Sequence, residues 1–138
     1  MRIILDTNVF ISGVFFTGPP YQILKAWRDG AVKLIVSPEI LEEYQRVGKL
    51  LGDDFPSVNL QSILDFLTIK AEIIPAGSLS EGICEDPDDD KFLACAISSK
   101  SKTIISGDKH LLRVSGFKGI KVIKPRAFID EYLTRFPK

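Results

Sequence analysis

The chain has 138 residues, 45% of them hydrophobic and 26% charged, with 18 Lys or Arg balanced by 18 Asp or Glu. That length and balance fit one globular domain, residues 1–138, with enough chain to bury a layered core. They exclude a membrane helix, because no apolar run approaches the ~20 residues required. The amino terminus also lacks the charged, apolar and small-residue zones of a secretory signal, so the expected location is cytoplasmic, with no membrane contact.

The zero net charge hides an asymmetry. Residues 1–90 carry 7 basic and 15 acidic side chains, whereas residues 91–138 carry 11 and 3. An acidic site that holds cations beside a basic surface that meets a polyanion would account for it. Folding both halves into one sheet would average it away. Cys84 and Cys95 lack the CxxC spacing of a metal or redox site. Two free thiols suit a reducing compartment, with Cys95 a small core residue.

Taken in order, Ile3 to Leu5 read as a short strand covered on both faces, the pattern of a central parallel strand. The apolar run stops at Asp6, Thr7 and Asn8. A carboxylate at the carboxyl end of such a strand lies where open α/β sheets bind their ligands. The same three residue types also favour helix entry, so capping is the alternative for Asp6 and Asn8. Val9 to Phe16 predicts a short buried helix ended by Gly18, Pro19 and Pro20, and Tyr21 to Asp29 a second helix stopped by Gly30. Lys33 to Val36 is a second strand. Ser37 and Pro38 then supply a cap and a first-position proline for a helix reaching about Leu51.

On that helix, at roughly 100° per residue, Ile40, Tyr44, Val47 and Leu51 share the core-facing stripe. Glu43 lies at the stripe's edge and can reach a crevice, while Glu42 points to solvent. Val58 to Lys70 resumes helical spacing, and Glu72 to Ile74 is a third strand. Glu85, Asp86, Asp88, Asp89 and Asp90 then crowd around Pro87. The spacing fails as a calcium loop, since Lys91 stands where glycine is needed and Ile97 where the bidentate glutamate belongs. A helix start fits better, with Asp86 as cap, Pro87 first and Asp89 third. Phe92, Leu93 and Ala96 form its buried stripe. Asp89 falls on that stripe, and Asp90 lies about 100° away.

Thr103 to Ser106 is a fourth strand, followed at once by Asp108, which also suits the cap of a short helix through Leu111 and Leu112. Ile120 to Ile123 is a fifth, and Pro125 opens a last helix through Phe128, Ile129, Tyr132 and Leu133. Alternating strands and helices define an α/β class with a parallel sheet of about five strands between helical layers. Asp6, Glu43, Asp89 and Asp108 would then share the carboxyl edge of the sheet. Four acids there repel one another unless a hard divalent cation intervenes, and an oxygen-rich donor set suits Mg²⁺ or Mn²⁺ rather than zinc. The chemistry that follows is phosphoryl transfer.

These residues also resemble a known family. RIILDTNVFIS at 2–12, VSPEILEEYQRV at 36–47, DPDDDKFLACA at 86–96 and SGDKHLL at 106–112 are similar to the four motifs of PIN-domain ribonucleases. The likeness is strongest to the small prokaryotic branch assigned as toxins of toxin–antitoxin pairs. It implies a three-layer PIN-like fold, a catalytic and metal-binding set of Asp6, Glu43, Asp89 and Asp108, and metal-dependent hydrolysis of single-stranded RNA. Asn8 and Ser106 match supporting polar positions, and Asp86 and Asp90 flank the third acid. Asp90 stands where that branch commonly has Asn, which leaves Asp89 and Asp90 in competition for the third place. His110, the only histidine, occupies a position often acidic and reads as a solvated helix residue, with contact to substrate as the alternative. The basic second half, including Lys91, Lys100, Lys102, Lys109 and Arg113, would supply phosphate contacts. The resemblance further implies a homodimer and a small antitoxin that covers the site.

Other readings differ in chemistry. A phosphatase of the haloacid-dehalogenase type needs a second Asp where Asn8 stands. A receiver domain needs its acceptor after a middle strand, and here that strand ends at Pro75. A binding module with a silent site would keep the fold and recognise RNA or a partner without cleaving it.

Overall fold

In the computed structural model residues 1–76 and 89–133 are described. The first strand, β1 (Arg2–Leu5), sets the architecture. Neighbouring strand residues face opposite sides, yet Ile3, Ile4 and Leu5 are all fully buried, so helices cover both faces. Among the described residues five strands form one sheet in the order β3-β2-β1-β4-β5, every pair parallel. They are β1, β2 (Lys33–Val36), β3 (Glu72–Ile73), β4 (Thr103–Ile105) and β5 (Lys121–Ile123). The chain winds outward from β1 to β3, crosses back, and winds the other way through β4 and β5. The switch point is the gap between β1 and β4, where open α/β sheets form a crevice at their carboxyl ends.

The helices follow the expected order with shifted ends. The first, α1 (Thr7–Phe15), begins directly after Asp6. Pro19 and Pro20 do not close it; they open α2 (Pro19–Arg28). Proline breaks a helix interior but suits its first turn, where the missing N–H bonds nothing, and a proline pair alone does not reveal which end it marks. Gly13 lets the two helices meet, since a Cβ there would lie 2.6 Å from Leu24 Cδ1 and 2.8 Å from the Pro20 carbonyl oxygen. The third helix, α3 (Pro38–Gly52), starts as expected, with Ser37 Oγ accepting from the Ile40 N–H at 3.2 Å. Next, α4 (Leu60–Lys70) begins two residues later than its spacing predicts, because the Asn59 side chain caps it through the Ser62 N–H.

The fifth helix, α5 (Asp90–Ser99), buries Phe92, Leu93, Ala94, Cys95 and Ala96 and packs on β1, β2 and β4. Its expected cap, Asp86, and Pro87 lie outside the described residues. Asp89 is not three residues inside this helix but immediately before it, with helical backbone angles. A short α6 (Lys109–Arg113) follows β4. The last helix is a single turn, α7 (Pro125–Phe128), that widens into a π-helical turn over Ile129–Leu133 instead of continuing as α-helix. Cys95 is fully buried, and that burial pushes its thiol up to about 12, which leaves it an inert core side chain. No described helix is long and apolar enough to cross a membrane.

Candidate functional site

Asp6 follows the last residue of β1, and its N–H bonds the Ile105 carbonyl of β4 at 3.0 Å. That bond holds Asp6 in the switch-point crevice. It stands at the N-cap position of α1, yet its side chain makes no capping hydrogen bond. The carboxylate instead accepts from Ser106 Oγ at 2.8 Å and is only 5% exposed. Burial raises its pKa above the ordinary value. The Ser106 hydroxyl opposes that rise, and the Asp108 and Glu43 carboxylates add to it. A buried acid held against two others is costly in the absence of a cation.

Ser106 fastens the second strand end to the first. Its Oγ, while donating to Asp6, accepts the Asp108 N–H at 2.9 Å. Asp108 in turn caps α6, Oδ1 accepting the His110 N–H at 2.7 Å. For Asp108, capping and a place in the crevice are therefore compatible.

Glu43 comes from α3, whose position is set by Tyr44. The Tyr44 hydroxyl donates to the carbonyl of Leu5, the residue before Asp6, and its ring stacks on Phe10 at 4.2 Å and 3°. The helical turn then leaves Glu43 with 16% side-chain exposure against 65% for Glu42, as the stripe predicts. Glu43 Oε2 accepts from Thr7 Oγ1 at 2.6 Å, next to Asp6. Its other oxygen lies 3.2 Å from Lys91 Nζ and 3.9 Å from the Arg46 guanidinium. A cation is thus not the only relief for the repulsion expected from sequence, since Lys91 and Arg46 already stand against Glu43. Lys91, expected among phosphate contacts, is 20% exposed and turned to Glu43.

Asp89 is 8% exposed, and Asp90 is half-buried in the first turn of α5. Asp89, Asp108 and His110 each offer a ligand atom, and these three atoms lie within 4.8 Å of one another. The structure therefore brings Asp89, not Asp90, into a cation-sized group with Asp108. It also corrects the solvated reading of His110, which is half-buried beside both acids. Thr7 and Lys91 were also missed as members of the site. Their signal was one of position, Thr7 following Asp6 and Lys91 following three consecutive acids at a helix start. Asn8 is exposed on α1, apart from these contacts, and Asp86 lies outside the described residues. Among the other basic residues, Lys100 closes α5 in a left-handed conformation, Lys102 and Lys109 are exposed, and Arg113 is exposed on α6.

A parallel sheet in this order, with acidic strand ends meeting at its switch point, defines an α/β domain whose crevice is polar and acidic, at the place where open α/β sheets bind their ligands. A model of the PIN domain family matches residues 2–110, and the chain belongs to that family. An uncharacterised protein of Methanocaldococcus jannaschii is 30% identical, the match covering 96% of this chain and 92% of the relative. The fold is similar to the crystal structure of VapBC2 from Rickettsia felis bound to a DNA fragment from their promoter. That similarity has a TM-score of 0.60 at 16% identity and covers 90% of this chain and 98% of the other.

Proposed function

We propose that this chain is a metal-dependent endoribonuclease that hydrolyses phosphodiester bonds of single-stranded RNA, and that it is the toxin of a toxin–antitoxin pair. The observation that carries this reading is the buried Asp6 carboxylate, facing Asp108 and Glu43 at the β1/β4 crevice with its pKa raised. Membership of the PIN family and the fold shared with a VapBC2 structure support it. On this reading residues 1–138 act as one domain in the cytoplasm, as a homodimer covered by a small antitoxin.

The residues fit a divalent cation. Asp6, Glu43, Asp89 and Asp108 form an oxygen-rich set of the kind that holds Mg²⁺ or Mn²⁺. When bound, such a cation neutralises phosphate oxygens and makes a water nucleophilic near neutral pH. The chain's own side chains do the positioning. Ser106 fixes the Asp6 carboxylate while tethering Asp108, and Thr7 fixes Glu43. Lys91 offsets part of the negative charge, which lowers the barrier to an approaching phosphate backbone. On this reading the exposed basic residues of the second half, Lys109 next to Asp108 among them, supply contacts to that backbone.

A substrate panel tests the chemistry. With Mn²⁺ or Mg²⁺, the purified chain is expected to cut end-labelled single-stranded RNA internally, to spare duplex RNA and single-stranded DNA, and to stop on chelation. Turnover of a phosphomonoester without internal RNA cleavage would favour the phosphatase reading. Tight RNA binding with no cleavage in either metal would favour a silent binding module.

A further inference from the structure

We infer that His110 is a direct ligand of the cation, completing with Asp89 and Asp108 a mixed nitrogen–oxygen site that favours Mn²⁺ over Mg²⁺. The inference rests on the proposal that a divalent cation sits among the crevice acids, and it adds the identity of one ligand and a preference between metals. Three observations place the imidazole there.

The first is proximity: one ligand atom from each of Asp89, Asp108 and His110 lies within 4.8 Å of the other two. Ligands of a small divalent ion at ~2.1 Å stand ~3.0 Å apart when adjacent and ~4.2 Å apart when opposite, so the three atoms are near enough to close on one ion by side-chain rotation. The second is restraint. The His110 N–H is bonded to Asp108 Oδ1 at 2.7 Å, so the backbone that carries the imidazole is fastened to a carboxylate of the same group. Two residues of one short turn thus reach the crevice together, and Asp89 meets them from the start of α5.

The third is the state of the other acids. Glu43 is neutralised in part by Lys91 and Arg46, and Asp6 is fastened by Ser106. Those two acids are thus held by other side chains of the crevice, whereas the imidazole stands with Asp89 and Asp108. Mg²⁺ demands oxygen ligands and retains its waters, whereas first-row transition ions bind imidazole more readily and rank above it for a nitrogen-containing site. A nitrogen at this place therefore shifts the preference to Mn²⁺.

The chain holds a single histidine, which makes the test unambiguous. Mn²⁺ alone is added to the full chain grown with ¹⁵N-histidine or with natural histidine, and pulsed electron paramagnetic resonance reads nitrogen coupling to the ion. The expected result is a directly coordinated histidine nitrogen, seen in wild type and absent in His110→Ala. Calorimetry should show Mn²⁺ affinity falling by about 10- to 100-fold in that variant, the scale on which even outer-shell ligand partners act, with a smaller loss for Mg²⁺. The wild-type spectrum decides the matter whether or not the variant folds. Mn²⁺ bound in an Asp89-dependent manner without nitrogen coupling would overturn the role of His110 while leaving the carboxylate centre intact. No Mn²⁺ binding to wild type would overturn both.

Discussion

Asp6→Asn is expected to abolish RNA cleavage and yet raise the melting temperature of the metal-free protein at neutral pH. The two effects share one cause. The Asp6 carboxyl is buried and faces two other acids, so its pKa in the folded chain lies above the ordinary 3.8. A raised acid favours the fold when protonated. Its stabilising contribution is complete below the unfolded value and is lost as pH rises through the folded one. At pH 7 the ionised group is a burden on the fold. Asparagine removes the charge and keeps an oxygen to accept the Ser106 hydroxyl.

The variant should therefore melt above wild type at pH 7 in chelator, each ~1 kcal/mol of relieved strain raising the melting temperature by about 3–4 °C in a chain of this size. The difference should shrink towards zero as pH falls to about 4. Cation at 100 times its Kd should add ~2.7 kcal/mol to wild type and far less to the variant. Cleavage should fall by about a thousandfold or more, ~4 kcal/mol of transition-state stabilisation. A variant that melts below wild type at pH 7 without metal would show that the carboxylate is not under strain.

The second large effect belongs to Tyr44. It is fully buried, stacks on Phe10, and donates to the carbonyl just before Asp6. Burial pushes its phenol well above the usual range, with the Asp6 carboxylate adding to the rise, so the hydroxyl remains a donor at working pH. Tyr44→Ala should cost ~3–5 kcal/mol through the cavity alone, with more from the orphaned carbonyl. That approaches the whole stability of many domains, ~5–15 kcal/mol, and the Tm should drop by about 10 °C or more. Tyr44→Phe keeps the ring and should cost only ~1 kcal/mol. Its cleavage rate should fall further than its Tm implies, because α3 then loses its tie to the peptide that carries Asp6. Equal thermal stability of Tyr44→Ala and wild type, by calorimetry, would contradict this role.

The sheet was legible because burial on both faces leaves consecutive apolar residues, as in Ile3 to Leu5 and Leu34 to Val36. The placement of Glu43 was legible for a related reason: helical rotation alone decides which of two adjacent acids turns inward. Asp6 and Asp108 stood out as acids just beyond strand ends. What sequence reasoning lost were contacts between elements. Lys91 meets Glu43 across α5 and α3, and His110 meets Asp89 across α6 and the start of α5. Periodicity tells which face a residue occupies but not what stands opposite, so a lysine looked free for phosphate and a histidine looked solvated. The Pro19–Pro20 pair failed differently, since its rigid backbone is compatible with leaving one helix or entering the next.

The most direct test of the carboxylate centre compares wild type and Asp89→Asn on end-labelled single-stranded RNA with Mn²⁺, each with and without chelator. Internal cleavage by wild type that vanishes with chelator, and is absent from a folded Asp89→Asn at every metal concentration, is the predicted result. Cleavage that survives chelation, or that Asp89→Asn retains at the wild-type rate, would contradict it.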